Sequence, residues 1–227
     1  MRAALIGLVA LSACTGDVDE QWQLDHDRII AVRATPPGIL PGETSVLDGL
    51  YGSKGGRPVE LAPQLAAVVS PERFQTALRR ESGQWIVTAP DAAALAGARV
   101  ELGLAADAPV PLQIGVSYAD QTLLGVKTVY LGVSRQNPVL EDMLIDGAAP
   151  PQAEIVVPQL TDVPLSVKAD EADIVNWLTS CGTMHDFDLP QAYLRVEKED
   201  PQEGDLAVVL RKADGGIAWR VWPIRVQ

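Results

Sequence analysis

The chain has 227 residues, 47% of them hydrophobic, and a formal net charge of −12. That hydrophobic share excludes a disordered tail and supplies enough apolar surface for real cores, while the length fits one large or two small domains. The acidic balance disfavours nucleic acid and anionic lipid surfaces as partners.

The chain opens with Arg2 and an apolar run from Ala3 to Leu11. Nine helical residues span only about 13 Å, against a hydrocarbon core of about 30 Å, so the run reads as a signal peptide and not as a membrane span. It ends in Leu11-Ser12-Ala13-Cys14, which resembles the lipobox of bacterial lipoproteins. The resemblance implies that residues 1–13 are removed and that Cys14 carries a diacylglyceryl thioether and an acylated amine, palmitate included. Each buried methylene adds about 0.8 kcal/mol to such an anchor. Thr15, standing where an Asp would favour inner-membrane retention, implies an outer-membrane location, facing the periplasm or the cell surface. An ordinary secretory signal with an incidental cysteine is the alternative. Residues 14–27 are polar and acidic, with no sustained apolar period, and predict a mobile lipidated tether. Trp22 within it can touch lipid or pack on the first domain.

Short strands broken by Gly and Pro follow. Extended segments are predicted over Arg28–Ala34 and Thr44–Tyr51, separated by Thr35-Pro36-Pro37-Gly38 and Pro41-Gly42-Glu43. Trp85–Thr88 reads as a strand, and Phe74–Arg80 is compatible with a short helix. Asp91 is placed to cap a helix that runs to Ala96 and stops at Gly97. Leu112, Ile114, Val116 and Tyr118 alternate with smaller or polar residues, the period of a half-buried strand. A turn over Ala119–Thr122 returns the chain as Leu124–Leu131. Val133–Pro138 is the predicted boundary between a first body, residues 28–134, and a second, residues 137–227. So short a linker keeps the two bodies close.

The second half repeats the grammar. Strands are predicted at Val139–Ile145, Val163–Ala169, Asp173–Thr179, around Leu206, Val208 and Leu210, and at Ile217–Val226. Asp214-Gly215-Gly216 makes the last hairpin turn. In the final strand Ile217, Trp219 and Val221 share one face, and Trp222, Ile224 and Val226 share the other. Either a bulge at Pro223 resets the alternation, or the strand is covered on both sides where the domains meet; the bulge is the favoured reading.

The segments Arg28–Pro37, Pro41–Thr44, Asn137-Pro138, Asp146-Gly147, Asn176–Gly182 and Val208–Trp219 together resemble the immunoglobulin-like lipoproteins of Gram-negative bacteria. The resemblance implies an all-β fold of two tandem immunoglobulin-like β-sandwiches, with Trp177 as the strand-C tryptophan. It carries no catalytic activity. It implies a non-catalytic binding or scaffolding module whose partner is an envelope protein or a glycan.

Few residues carry chemistry. The only cysteines are Cys14 and Cys181, and the only histidines His26 and His185. Cys181, His185, Asp186 and Asp188 hold zinc-type ligands, and a metal- or thiol-dependent enzyme using Cys181 and His185 is the alternative function. A buried, inert Cys181 is the favoured reading, with no catalytic residue, cofactor or metal ligand assigned. Glu197, Glu199, Asp200, Glu203 and Asp205 form an oxygen-rich loop of the kind that suits calcium, but charge runs are usually solvated. Trp22, Trp85, Trp219 and Trp222 would serve a carbohydrate-binding module if exposed. Tryptophans in strands are more often core.

Overall fold

The computed structural model describes residues 20–227. The leader and Cys14 lie outside them. The first body contains β1 (Arg28–Thr35), β2 (Gly38–Ile39), β3 (Thr44–Gly52), β4 (Val59–Leu61), β5 (Leu65–Ser70), a 3-10 helix (Glu72–Ala77), β6 (Leu78–Glu81), β7 (Gln84–Thr88), α1 (Ala92–Glu101), β8 (Val110–Tyr118) and β9 (Leu123–Leu131). The second contains β10 (Leu144–Ile145), β11 (Ile155–Val157), β12 (Val163–Ser166), β13 (Ile174–Thr179), β14 (Thr183–His185), β15 (Gln191–Arg195), β16 (Glu203–Arg211) and β17 (Ile217–Val226).

Each body is a two-sheet sandwich, and the two repeat one strand order. In the first, β1-β3-β7-β6 packs on β2-β9-β8-β5, with β4 sharing an edge of β3. In the second, β10-β12-β15-β14 packs on β11-β17-β16-β13. A short early strand runs parallel to the last strand in both, β2 on β9 and β11 on β17. Two mostly antiparallel sheets in these orders are immunoglobulin-like. The all-β, tandem immunoglobulin-like fold expected from the sequence is therefore observed. Alternation builds the cores. Leu112, Ile114 and Val116 of β8 face Val32, Leu47 and Val87 across the first sandwich, while Trp177, Val208 and Trp222 fill the second. Trp177 is fully buried, and the thiol of Cys181 occupies the same core.

Several local expectations are corrected. Asp91 caps α1 as expected, accepting from the Ala94 amide at 2.8 Å, but the helix passes through Gly97. Arg73 lies over Gly97, where an added Cβ would sit 3.2 Å from its guanidinium, so close packing offsets glycine's poor helix propensity. The stop is Gly103, at φ +65°: Leu104 donates to the Arg99 carbonyl and Gly103 to that of Val100, the paired bonds of a Schellman ending. Phe74–Arg80 divides into the 3-10 helix and β6. Val139–Ile145 is mostly irregular and yields only β10.

The final strand has no bulge. β16 and β17 stay in register from Glu203↔Arg225 to Arg211↔Ile217. Trp222, Ile224 and Val226 face the core of the second sandwich, whereas Ile217, Trp219 and Val221 face the first body. β16 divides the same way, with Leu206, Val208 and Leu210 turned inward and Ala207 and Val209 toward the first body. A strand buried on both faces has no need of alternation. The bulge lies instead in β1, where pairing jumps from Ile29↔Tyr51 to Ala31↔Leu50. The extra residue turns both Ile30 and Ala31 outward, while Ile29 and Val32 still face their own core.

Those outward residues and Leu50 meet Leu178, Ala207, Val209, Ile217 and Trp219 in a third apolar core between the sandwiches. Leu24 belongs to it and is fully buried. The segment expected to be a mobile tether is thus tied down over its last residues. Leu24 donates to the Thr179 carbonyl at 3.0 Å, Thr179 donates back to Trp22 at 2.9 Å, and Trp22 packs on the second sandwich, not the first. The segment runs parallel to β13 and covers its edge.

Candidate functional site

Among the described residues, no group of three or more His, Cys, Asp or Glu side chains is arranged to hold a metal ion. Cys181 follows β13 with no exposed surface, and its Sγ donates to the Pro201 carbonyl at 2.7 Å. Burial, with help from Asp200, pushes its thiol up to about 11. A thiolate, the form a nucleophile or metal ligand requires, is disfavoured there. His185 lies exposed on the edge strand β14, opposite Tyr193. Asp186 turns the chain at φ +53°, its carbonyl accepting from Leu189. The sequence-proposed cluster is divided between a buried thiol and an exposed strand end.

The acidic loop is used internally. Asp200 accepts from the Glu197 amide at 2.7 Å, and Glu197 pairs with Arg195 at 2.6 Å. Asp205 is buried and receives Arg57 of the first body through Nε and Nη2, at 3.0 and 2.7 Å. That fork bounds a cleft of about 430 Å³ between the bodies, lined also by Asp25, Glu154 and Glu203. The tryptophans are engaged as well. Trp222 lies in the second core, and Trp22 packs against it. The Trp219 indole donates to Glu60 at 2.8 Å, with the Arg33 guanidinium 3.9 Å from its ring centre. Trp85 donates to the Pro63 carbonyl at 3.0 Å.

The joint between the sandwiches holds the polar groups that sequence reasoning missed. Asn137, in the linker, donates to the Ala34 carbonyl and accepts from the Ile217 amide, each at 2.9 Å. One side chain thereby clamps β1 to β17. Lys127 of β9 is buried and donates to the Gly215 carbonyl at 2.6 Å. Burial and then Arg211 push its ammonium down to about 8, against the opposing pull of Asp214 and Asp48. Arg211 donates to Asn176 and, at 2.6 Å, to the Ile30 carbonyl. Arg28 donates to the carbonyls of Gln21 at 2.7 Å and Gln23 at 3.1 Å. The readable signal for this joint was the doubled apolar run Leu206–Leu210 with Ile217–Val226; the cations carry no sequence signature.

One sheet face is left open. On β5, β8 and β9 the rows Leu65–Ser117–Leu124 and Ala67–Gly115–Val126 lie side by side. Leu65, Val69, Leu124 and Val126 are between 47% and 78% exposed. The equivalent face of the second sandwich is the one buried in the joint. Contiguous exposed apolar surface of this kind marks contact sites.

No protein-family model and no curated protein matches this sequence. Among solved structures, the chain is similar to the tandem Ig repeats of Dlar, at 12% identity over 88% of this chain and 97% of that one, with a TM-score of 0.32. It is also similar to the two tandem V-type regions of VCBP3, a v-region-containing chitin binding protein, at 11% identity over 87% and 100% of the two chains, with a TM-score of 0.34. A nucleoside hydrolase-related hypothetical protein from Saccharophagus degradans aligns with 37% of this chain at 12% identity and a TM-score of 0.30, and this chain spans a quarter of its length. The repeated strand order is what makes both bodies immunoglobulin-like: two tandem sandwiches fastened face to face.

Proposed function

We propose that this protein is a membrane-anchored envelope lipoprotein whose paired sandwiches form a non-catalytic module that binds another protein. The anchor rests on Leu11-Ser12-Ala13-Cys14, and Thr15 supports the outer membrane as its location. The binding role rests on the open apolar face of β5, β8 and β9, which carries Leu65, Val69, Leu124 and Val126 but no charged side chain in its two central rows. A protein partner fits better than a glycan, because Trp219 and Trp222 are buried and Trp22 and Trp85 are half-buried against neighbouring strands. The buried thiol of Cys181 and its separation from His185 argue against the metal- or thiol-dependent enzyme.

Cross-linking intact envelopes and recovering this chain tests the reading. One abundant protein cross-linked in the wild type, and lost when Leu124 and Val126 are replaced by Ser, is the expected result. Unchanged recovery in that variant refutes the assigned face. Palmitate incorporation that persists in Cys14→Ser refutes the anchor, and recovery with inner-membrane vesicles refutes the outer-membrane location.

A further inference from the structure

Some half-buried cations of this acidic chain have a carboxylate at hand, as Arg33 has Asp48 and Arg195 has Glu197. Arg28 and Arg211 do not. Both are half-buried, and every hydrogen bond they make among the described residues goes to a neutral oxygen: Gln21 and Gln23 carbonyls for Arg28, Asn176 and the Ile30 carbonyl for Arg211. Both guanidiniums line one pocket of about 200 Å³, closed by Phe187 and Leu178. Each guanidinium has five N–H donors, so several on each remain unused, and none of their nitrogens is sealed away from the pocket without a partner. Desolvation lowers the pKa of both, and the charge of Arg28 lowers that of Arg211 further. Lys127 lines a neighbouring groove that shares Ile30 and Arg211 with the pocket, and the charge of Arg211 bears on it. None of the three makes a hydrogen bond or ion pair to a carboxylate among the described residues, and Lys127 feels Asp214 and Asp48 only at a distance.

We infer that the pocket between Arg28 and Arg211 is a binding site for a small oxyanion of the phosphoryl type. Two guanidinium forks on one cavity match the several acceptor oxygens of such a group, and bidentate pairing to it is their strongest interaction. The volume admits a phosphate group but not a nucleotide. An anion there bridges the N-terminal segment, held by Arg28 through Gln21 and Gln23, to β13 and β16 of the second sandwich, and so tightens the joint. The chemistry is shared by free phosphate and by a lipid headgroup. The second source rests on the anchor reading, since seven residues from Cys14 to Gln21 reach at most about 25 Å. The site itself does not depend on that reading.

Calorimetric titration of the full chain with inorganic phosphate, at ionic strength held constant with chloride, tests the site. Saturable binding of one phosphate per chain is expected, weakened at least tenfold in Arg28→Gln and in Arg211→Lys, which keeps the charge but not the fork. Thermal unfolding should rise by several degrees with phosphate in the wild type and not in Arg28→Gln. If Arg211→Lys fails to fold, Arg28→Gln carries the test alone. The lipid source is read by sedimenting the full-length Cys14→Ser chain with phosphatidylcholine vesicles with and without phosphatidate. Binding only to phosphatidate vesicles assigns the headgroup, and heat with inorganic phosphate alone assigns the free ion. No binding of either, or equal affinity in Arg28→Gln, overturns the site.

Discussion

Trp219→Ala is the most direct probe of how the two sandwiches are joined. Trp219 is only 8% exposed, and its ring lies in the apolar layer with Ile30, Ala31, Leu50 and Val209. Truncating a tryptophan in such a layer costs about 3–5 kcal/mol. The Arg33 guanidinium, 3.9 Å from the ring centre, loses a cation–π contact of about 0.5–1 kcal/mol. Glu60 loses its indole donor but is largely exposed and regains water, so no orphaned-group penalty is added. The sum is about 3.5–6 kcal/mol. Trp222→Ala removes a side chain of the same size from the interior of the second sandwich, and serves as the control. Urea unfolding gives the total, and hydrogen exchange followed by mass spectrometry gives its location. If the joint couples the bodies, Trp219→Ala speeds exchange in β1 and β3 as well as in β16 and β17. At about 1.4 kcal/mol per tenfold, amides that open only when the joint parts should exchange on the order of a thousandfold faster. Trp222→Ala should leave β1 and β3 far less affected. Unchanged exchange in β1 and β3 of Trp219→Ala, or equal effects from the two variants, would refute the coupling.

Three further outcomes are expected. Lys127 is depressed to about 8 from 10.5, so between those pH values the unfolded chain binds a proton that the folded chain does not. Stability should therefore rise with pH across that window, by up to about 3 kcal/mol relative to Lys127→Met; parallel urea midpoints for the two chains from pH 7.5 to 10 would contradict this. In a Cys14→Ser background, Cys181 should resist a thiol reagent at pH 8 until urea unfolds the chain, and rapid native labelling would show the thiol is not sealed. A Cβ on Gly49 would collide with the Tyr118 hydroxyl and lie 3.1 Å from the Ala31 carbonyl. Gly49→Ala should cost about 1–3 kcal/mol by calorimetry, and Tyr118→Phe in the same chain should recover part of it.

The long strands were legible because each has one clear apolar face or a doubled one. Leu112 to Tyr118 alternates cleanly and is β8, and its partner β9 follows a turn whose residues take positive φ. The tandem sandwich arrangement came from the resemblance to immunoglobulin-like lipoproteins that two such halves carry. What the sequence hid was short, uniform or contextual. β5 reads Leu-Ala-Ala-Val-Val-Ser, with no alternation, because its outer residues are as apolar as its inner ones. β11 and β14 have three residues each and exist only through their neighbours. Residues 21–27 look like free linker because Trp22, Leu24 and a few hydrogen bonds to backbone do the fastening, and none has a periodic signature. The parity change at Val221-Trp222 was visible, but choosing between a kink and a second buried face needed the partner surface. The cations of the joint were legible only as charge. Their lack of carboxylate partners is a property of the assembled body.

The parallel pairing of Trp22–Leu24 with β13 has a mechanical consequence. Tension applied to the chain ahead of Glu20 does not peel β1 from the first sandwich. It meets first the backbone bonds that join Trp22 and Leu24 to Thr179, at the seam. A load on that end is therefore met by both sandwiches at their seam, and not by the first alone.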